Sequence, residues 1–280
     1  MAKYYHAHRV DPDKCRGHMT CMRHCPSHAI RVRGGKATII EELCIDCGKC
    51  LSVCPSGAVV LISDPIAKLP KFKHKVVVPS PALYSQFDPS IHPYIVHLAL
   101  KQLGFDDVVD GNISALALGN ALLEYIKGYR GRLPLISSYC PSIVRLIQVN
   151  YPDLVELIVP MDVPREMTAR EIRRHLPSKL GIKPEELGIY YLANCPAKIV
   201  SIRQPAEKAK SWFDDVISIK DTYPILLPHV VNVKEDFDPS MVPEDFSFSS
   251  GWSSTGSIIQ SIKAEKILPY SLSVMSSLTC

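Results

Sequence analysis

Ten cysteines stand at positions 15, 21, 25, 44, 47, 50, 54, 140, 195 and 280, and seven of them fall within residues 15–54. Thiols packed this densely can form disulfides or hold metal. Disulfide scaffolds belong to short secreted chains. This chain has 280 residues, and its N-terminus "MAKYYHAHRVDPDK" carries no apolar signal core. Metal is therefore the expectation, and the spacing says which kind. Cys44, Cys47, Cys50 and Cys54, followed by Pro55, follow the rule C-x2-C-x2-C-x3-C-P, which supplies thiolates to iron–sulfur clusters. Paired zinc ribbons would show C-x2-C pairs across longer gaps and no x3-C-P.

"CRGHMTCMRHCPSHAI" (15–30) repeats "CIDCGKCLSVCPSGAV" (44–59) at a constant offset of 29. Cys15, Cys21, Cys25 and Pro26 fall on Cys44, Cys50, Cys54 and Pro55, while His18 falls on Cys47. The first copy keeps its register and offers an imidazole in place of a thiolate. Iron accepts a neutral imidazole nitrogen, and losing one negative ligand raises a cluster's reduction potential. The competing reading is a loop histidine beside a three-iron cluster.

Residues 10–62 resemble a two-cluster bacterial ferredoxin. The resemblance implies two 4Fe-4S clusters, with the last cysteine of each motif crossing to the other cluster. One set is then Cys15, His18, Cys21 and Cys54, and the other is Cys44, Cys47, Cys50 and Cys25. To position them, "AIRVRGGKATII" reads as a hairpin around Gly34-Gly35, and "AVVLI" (58–62) as a short strand. Residues 1–62 hold nine basic and five acidic residues, which accounts for the whole net charge of +4. Such a module could meet nucleic acid. Compensation of anionic clusters is the simpler reading, and no nucleic-acid partner is expected.

Residues 63–75, "SDPIAKLPKFKHK", read as a solvated basic linker. Beyond it the texture alternates between strand and helix. "KVVVP", "DDVVD", "LPLISSYCP" (133–141) and "LGIYYLANCPAK" (187–198) read as strands. "HPYIVHLALKQLGF" (92–105) and "ISALALGNALLEYIKGY" (113–129) read as helices. Thr168 and Glu171 read as a capping box opening a short helix that stops at Pro177. The expected fold is an α/β domain with largely parallel strands, Cys140 and Cys195 each ending a strand and each followed by proline. Ligands gather at such strand ends.

"SSYCPSI" (137–143), "NCPAK" (194–198) and "PSPALYSQF" (79–87) occur in the order and form of segments of the iron-only (FeFe) hydrogenase catalytic domain, which residues 76–280 resemble. The whole arrangement is thus similar to the sensory or regulatory branch of that family: a two-cluster ferredoxin-like domain (1–62), a linker (63–75) and a hydrogenase large-subunit-like domain (76–280). The resemblance implies a third 4Fe-4S cluster bridged to a two-iron subsite, with Cys140, Cys195 and Cys280 as cubane ligands. Lys198 then matches the lysine facing a diatomic ligand of that subsite, where a cation stabilises cyanide. The alternative for Lys198 is a surface lysine.

Two departures stand out. Tyr139 occupies the place of the family's proton-relay cysteine, and a phenol of pKa about 10 relays protons less readily than a thiol near 8.5. The bridging cysteine is not in the sequence, which ends at Cys280, so the large domain reads as incomplete. The expected function is an iron–sulfur redox protein passing electrons between ferredoxin clusters and a hydrogenase-type site, for hydrogen sensing or slow hydrogen turnover. The alternative is a non-enzymatic electron carrier with a scaffold domain. A redox partner protein, a signalling partner, a cytoplasmic location and no membrane insertion complete the expectations.

Overall fold

The computed structural model describes residues 4–206, 209–246 and 248, apart from the side chains at 67, 68 and 70. Cys280 lies outside the described residues. Within 4–62 two small antiparallel sheets flank two short helices. Strand β1 (His8–Val10) pairs with β4 (Val59–Leu61). The hairpin β2 (Ile30–Arg33) and β3 (Lys36–Ile39) turns at Gly34-Gly35, both at positive φ. Helices α1 (Thr20–Arg23) and α2 (Lys49–Val53) each follow the first cysteines of a motif. The expected hairpin and β4 are present. Strand β1 was not read from the sequence, because three residues carry too little pattern to stand out.

The repeat extends to the backbone. Gly17, Met19 and His28 are left-handed in the first copy, and Asp46, Gly48 and Gly57 in the second. Each pair is again 29 residues apart. A non-glycine residue rarely takes this conformation, so three matched positions make the two loops the same turn built twice. His18 and Cys47 each sit between two left-handed residues.

The larger part is a four-stranded sheet in the order β6-β5-β7-β8, with every pairing parallel. Its strands are β5 (His74–Pro79), β6 (Asp107–Val108), β7 (Leu187–Ala193) and β8 (Asp215–Ser218). Strand β7 is buried along its whole length, as its unbroken apolar run requires for a strand covered on both faces. One face packs on α3 (Pro93–Gln102) and α8 (Ile219–Glu235), with Val77, Leu100, Tyr190, Leu192 and Leu226 at its core. The other packs on α6 (Pro164–Leu180) and α7 (Pro196–Arg203) around Val76, Ile189, Tyr191, Ala169 and Ile199. Ala7, with Tyr4, Tyr5 and Leu61 packed alongside, joins this second core and ties the small region to the sheet.

Several sequence expectations are corrected. Residues 133–141 form no sheet strand: Leu133 is exposed, and a single parallel bridge joins Ile136 to Ile158. An apolar run alone does not distinguish a buried strand from an irregular segment. Cys140 therefore ends no strand, but caps α5 (Pro141–Asn150). Thr168 caps nothing either. It is buried mid-helix in α6, its hydroxyl bonded to that of Ser114. The helix runs through Pro177 to Gly181, whose left-handed φ of 65° closes it.

The segment 63–75 is not a solvated linker. A 3-10 helix spans Ile66–Lys71, and Leu69 joins the first core. Asp64 is buried, accepts the Val216 N–H at 3.1 Å and pairs with Arg203. Removing this carboxylate by Asp64→Ala leaves a buried N–H unbonded and Arg203 with Asp215, 3.6 Å away, as its one acidic partner among the described residues. A loss of about 2–4 kcal/mol is expected, read as a lower thermal midpoint, with Ser63→Ala close to neutral.

Candidate functional site

Two small cavities in residues 4–62 collect the motif side chains in crossed sets. One is lined by Cys15, His18, Cys21 and Cys54. The other is lined by Cys25, Cys44, Cys47 and Cys50. The crossing follows from the fold: each C-x3-C-P cysteine is carried past its own loop by the short helix before it. Cys15, Cys21, Cys44 and Cys50 are buried, whereas His18 is exposed at the mouth of its cavity.

The sulfurs are dressed as a matched pair. The Ala29 N–H donates to Cys25 Sγ at 3.2 Å, and the Ala58 N–H to Cys54 Sγ at 3.3 Å. Ser27 and Ser56 place hydroxyls 3.7 and 3.6 Å from the same two sulfurs. The Ala37 N–H reaches Cys15 Sγ at 3.4 Å. Donors aimed at sulfur stabilise thiolate, and they are one lever on cluster potential. Burial and then the nearby Asp46 push the Cys44 thiol up to about 12, and burial followed by its neighbouring thiols pushes Cys50 up as well. Buried, crowded thiols of this kind ionise when a cation neutralises them. The donor set and its N–H···S bonds therefore fit an iron–sulfur cluster in each cavity.

The second cavity faces the α/β region. A Cβ on Gly48 would lie 2.8 Å from Pro196 Cδ, so the Cys47-Gly48 turn rests directly on the first residue of α7. Asp46 secures this turn to the N-terminal segment His6–His8. Its buried carboxylate meets His6 Nδ1 at 2.9 Å, His8 Nδ1 at 3.1 Å and the Ala7 N–H at 3.2 Å. Burial would raise the Asp46 pKa, but its close contacts with His6 and His8 bring it below its ordinary value. His8 Nε2 is also 3.8 Å from Cys44 Sγ. These histidines lie before the first motif, and no spacing signal in the sequence links them to it.

Across the Gly48–Pro196 contact lies the carboxyl edge of the parallel sheet. After β5 the chain crosses to β6 on one side, and it later returns to β7 on the other. Between β5 and β7 is thus the switch point where α/β sheets place ligands. Cys195 follows β7, is buried and caps α7. Lys198 is buried too, so the surface alternative does not describe it; its ammonium donates to Asn194 Oδ1 at 2.8 Å. The Ser80 hydroxyl donates to the same oxygen at 3.1 Å. Burial alone would lower the Lys198 pKa, but Tyr191, Cys195 and Tyr139 outweigh it and raise the value. Tyr139 and Tyr191 line a small pocket with Pro79, Pro81, Gly111, Asn112, Pro164 and Arg165. Tyr139, Cys195 and Lys198 are thus brought together, with Cys140 adjoining Tyr139. Arg165 was not read from the sequence, since a lone arginine on a helix carries no motif.

Comparison with known proteins agrees with this geometry. The C-terminal domain of the iron-only hydrogenase large subunit matches residues 73–264, and a 4Fe-4S dicluster domain matches residues 7–55. The chain belongs to the iron-only hydrogenase large-subunit family. It is 27% identical over 187 residues to the NADP-reducing hydrogenase subunit HndD of Solidesulfovibrio fructosivorans, covering 60% of this chain and 32% of that protein. Against iron hydrogenase 1 of Clostridium pasteurianum it is 25% identical over 131 residues, covering 45% and 22%. The chain therefore spans about a third or less of these relatives. An FeFe-hydrogenase structure from Chlamydomonas reinhardtii superposes with a TM-score of 0.51 at 22% identity, covering 71% of this chain and 55% of that one, a likeness of fold. This family member thus joins a 4Fe-4S dicluster domain to a hydrogenase large-subunit domain. No described helix is long and apolar enough to cross a membrane.

The Gly48 contact is open to a matched test. Gly57→Ala meets nothing within 4 Å and incurs only the left-handed cost, about 1–2 kcal/mol. Gly48→Ala adds the clash with Pro196. Its thermal midpoint is expected to fall at least twice as far. Equal shifts would show that the turn does not bear on α7.

Proposed function

We propose that the family member described here carries two inequivalent 4Fe-4S clusters in residues 1–62, relaying electrons to or from an iron–sulfur group at the switch point of residues 76–280. Cys15, His18, Cys21 and Cys54 would hold the outer cluster. Cys44, Cys47, Cys50 and Cys25 would hold the inner one. Cys140, Cys195 and Cys280 would hold a third, with Lys198 facing a two-iron subsite. Bound clusters of this kind supply one-electron redox chemistry. The observation that carries the reading is the contact of the Cys47-Gly48 turn with Pro196, beside Cys195. It sets the all-cysteine site next to the α/β region and leaves the histidine site on the far side, its imidazole exposed.

Tyr139 at the relay position suits hydrogen sensing or slow turnover better than fast catalysis, because its proton is held more tightly than a thiol's. A redox partner protein would exchange electrons at the exposed histidine-bearing cluster. A non-enzymatic carrier with a scaffold domain is the competing reading, and iron content separates the two. About eight irons per chain would mean ferredoxin clusters alone, about twelve a third cubane, and more a two-iron subsite. Twelve or more after anaerobic reconstitution and maturation is expected, falling to about eight in a Cys140→Ser/Cys195→Ser chain. A wild-type count that stays at about eight would favour the carrier.

His18→Cys should lower the potential of one cluster by on the order of 100 mV and leave the other in place. An unchanged redox titration would remove His18 from the ligand set.

A further inference from the structure

Two cations are buried at the switch point. Arg165, on the first turn of α6, is 7% exposed, and Lys198, on the first turn of α7, is 8% exposed. Burying a charge is costly unless an opposite charge or a full set of hydrogen bonds compensates it. Lys198 has the neutral amide oxygen of Asn194. Arg165 donates from Nη2 to Ser201 Oγ at 2.9 Å, and its Nε is buried without a hydrogen-bond partner. Among the described residues, no carboxylate lies within ion-pairing distance of either cation. Asp110 and Asp162 accept backbone N–H groups of Asn112 and Val163. Glu166, next to Arg165, is turned to the Ser211 hydroxyl and the Trp212 N–H.

The Lys198 ammonium and the Arg165 guanidinium lie close enough to repel each other, and Lys198 also feels the Tyr191 and Tyr139 phenols. Ser201 receives Arg165 and in turn donates to the Lys198 carbonyl at 2.9 Å. The Arg165 guanidinium stands 5.8 Å from the Tyr191 ring centre, and Arg165 lines the same pocket as Tyr139 and Tyr191. Two like charges held together in a buried site favour a negative occupant.

We propose that Arg165 and Lys198 form a two-cation anion site at the switch point, with Arg165 a second anchor for the anionic face of an iron–sulfur group tethered by Cys140 and Cys195. The identity of that group rests on the function proposed above; the anion site does not. A purely structural Arg165, held by Ser201 and Tyr191, is the competing account.

Azide is a suitable small anionic probe for the full-length chain carrying its ferredoxin clusters but no third group. Thermal midpoints are measured under anaerobic conditions against chloride at equal ionic strength. Azide should stabilise the wild-type protein and Arg165→Lys. Its apparent affinity should be at least about tenfold weaker in Arg165→Met and Lys198→Met, each losing one charge-assisted contact. Equal azide stabilisation in wild type and Arg165→Met, or none in wild type, overturns the anion site. Iron per chain after reconstitution is read separately. An azide effect without a third cluster keeps this site and defeats the functional reading, while a third cluster without an azide effect does the reverse.

Discussion

The contact of the Cys47-Gly48 turn with Pro196 governs the architecture. Electron exchange between buried centres needs short separation, and this contact leaves no room for a side chain between the all-cysteine loop and the helix that begins beside Cys195. Gly48 meets it with a left-handed φ of 78° and no Cβ. The Asp46 carboxylate holds the same turn from behind through His6, Ala7 and His8. Tyr5 and Gln204 extend the anchorage, since the Tyr5 N–H donates to the Gln204 amide oxygen at 2.7 Å at the far end of α7. The N-terminal segment Tyr5–His8 therefore acts as a clamp across both regions.

From this constraint the inequivalence of the two cavities follows. The internal repeat makes two nearly identical loops, with matched left-handed residues and matched N–H···S bonds. Docking on α7 breaks that symmetry. The copy with four cysteines faces the sheet, and the copy with His18 faces outward. The cavity lined by His18 lies where solvent reaches it, while the all-cysteine cavity is screened by Asp46, Ile45 and the start of α7. The sheet contributes the other half of the arrangement. Its switch point gathers Asn194, Cys195, Lys198, Tyr139 and Arg165 from three separate segments.

Much of this was legible in the sequence, because cluster ligation imposes spacing and left-handed turns that leave strong marks. The offset of 29 came from such marks, the hairpin at Gly34-Gly35 from its turn residues and β-rich arms, and the strand ending before Cys195 from its apolar run. What was missed has a common cause. Residues 133–141 are apolar without being in the sheet, and their fate depends on neighbours far along the chain. Asp64 reads as part of a polar linker until Arg203 and Val216 are placed beside it. Thr168 looks like a cap only while Ser114 is out of view. Arg165 and the His6–Asp46–His8 cluster carry no periodic or spaced signal, and they acquire meaning only when folding buries them.

The central claim is that the two cavities hold different clusters and that the outward one has an imidazole ligand. Pulsed EPR on protein poised so that only the higher-potential cluster is reduced tests this directly. The account predicts strong nitrogen hyperfine coupling from His18 on that cluster, absent in His18→Ala. Coupling no larger than that of backbone amides, or strong coupling that survives in His18→Ala, would contradict it.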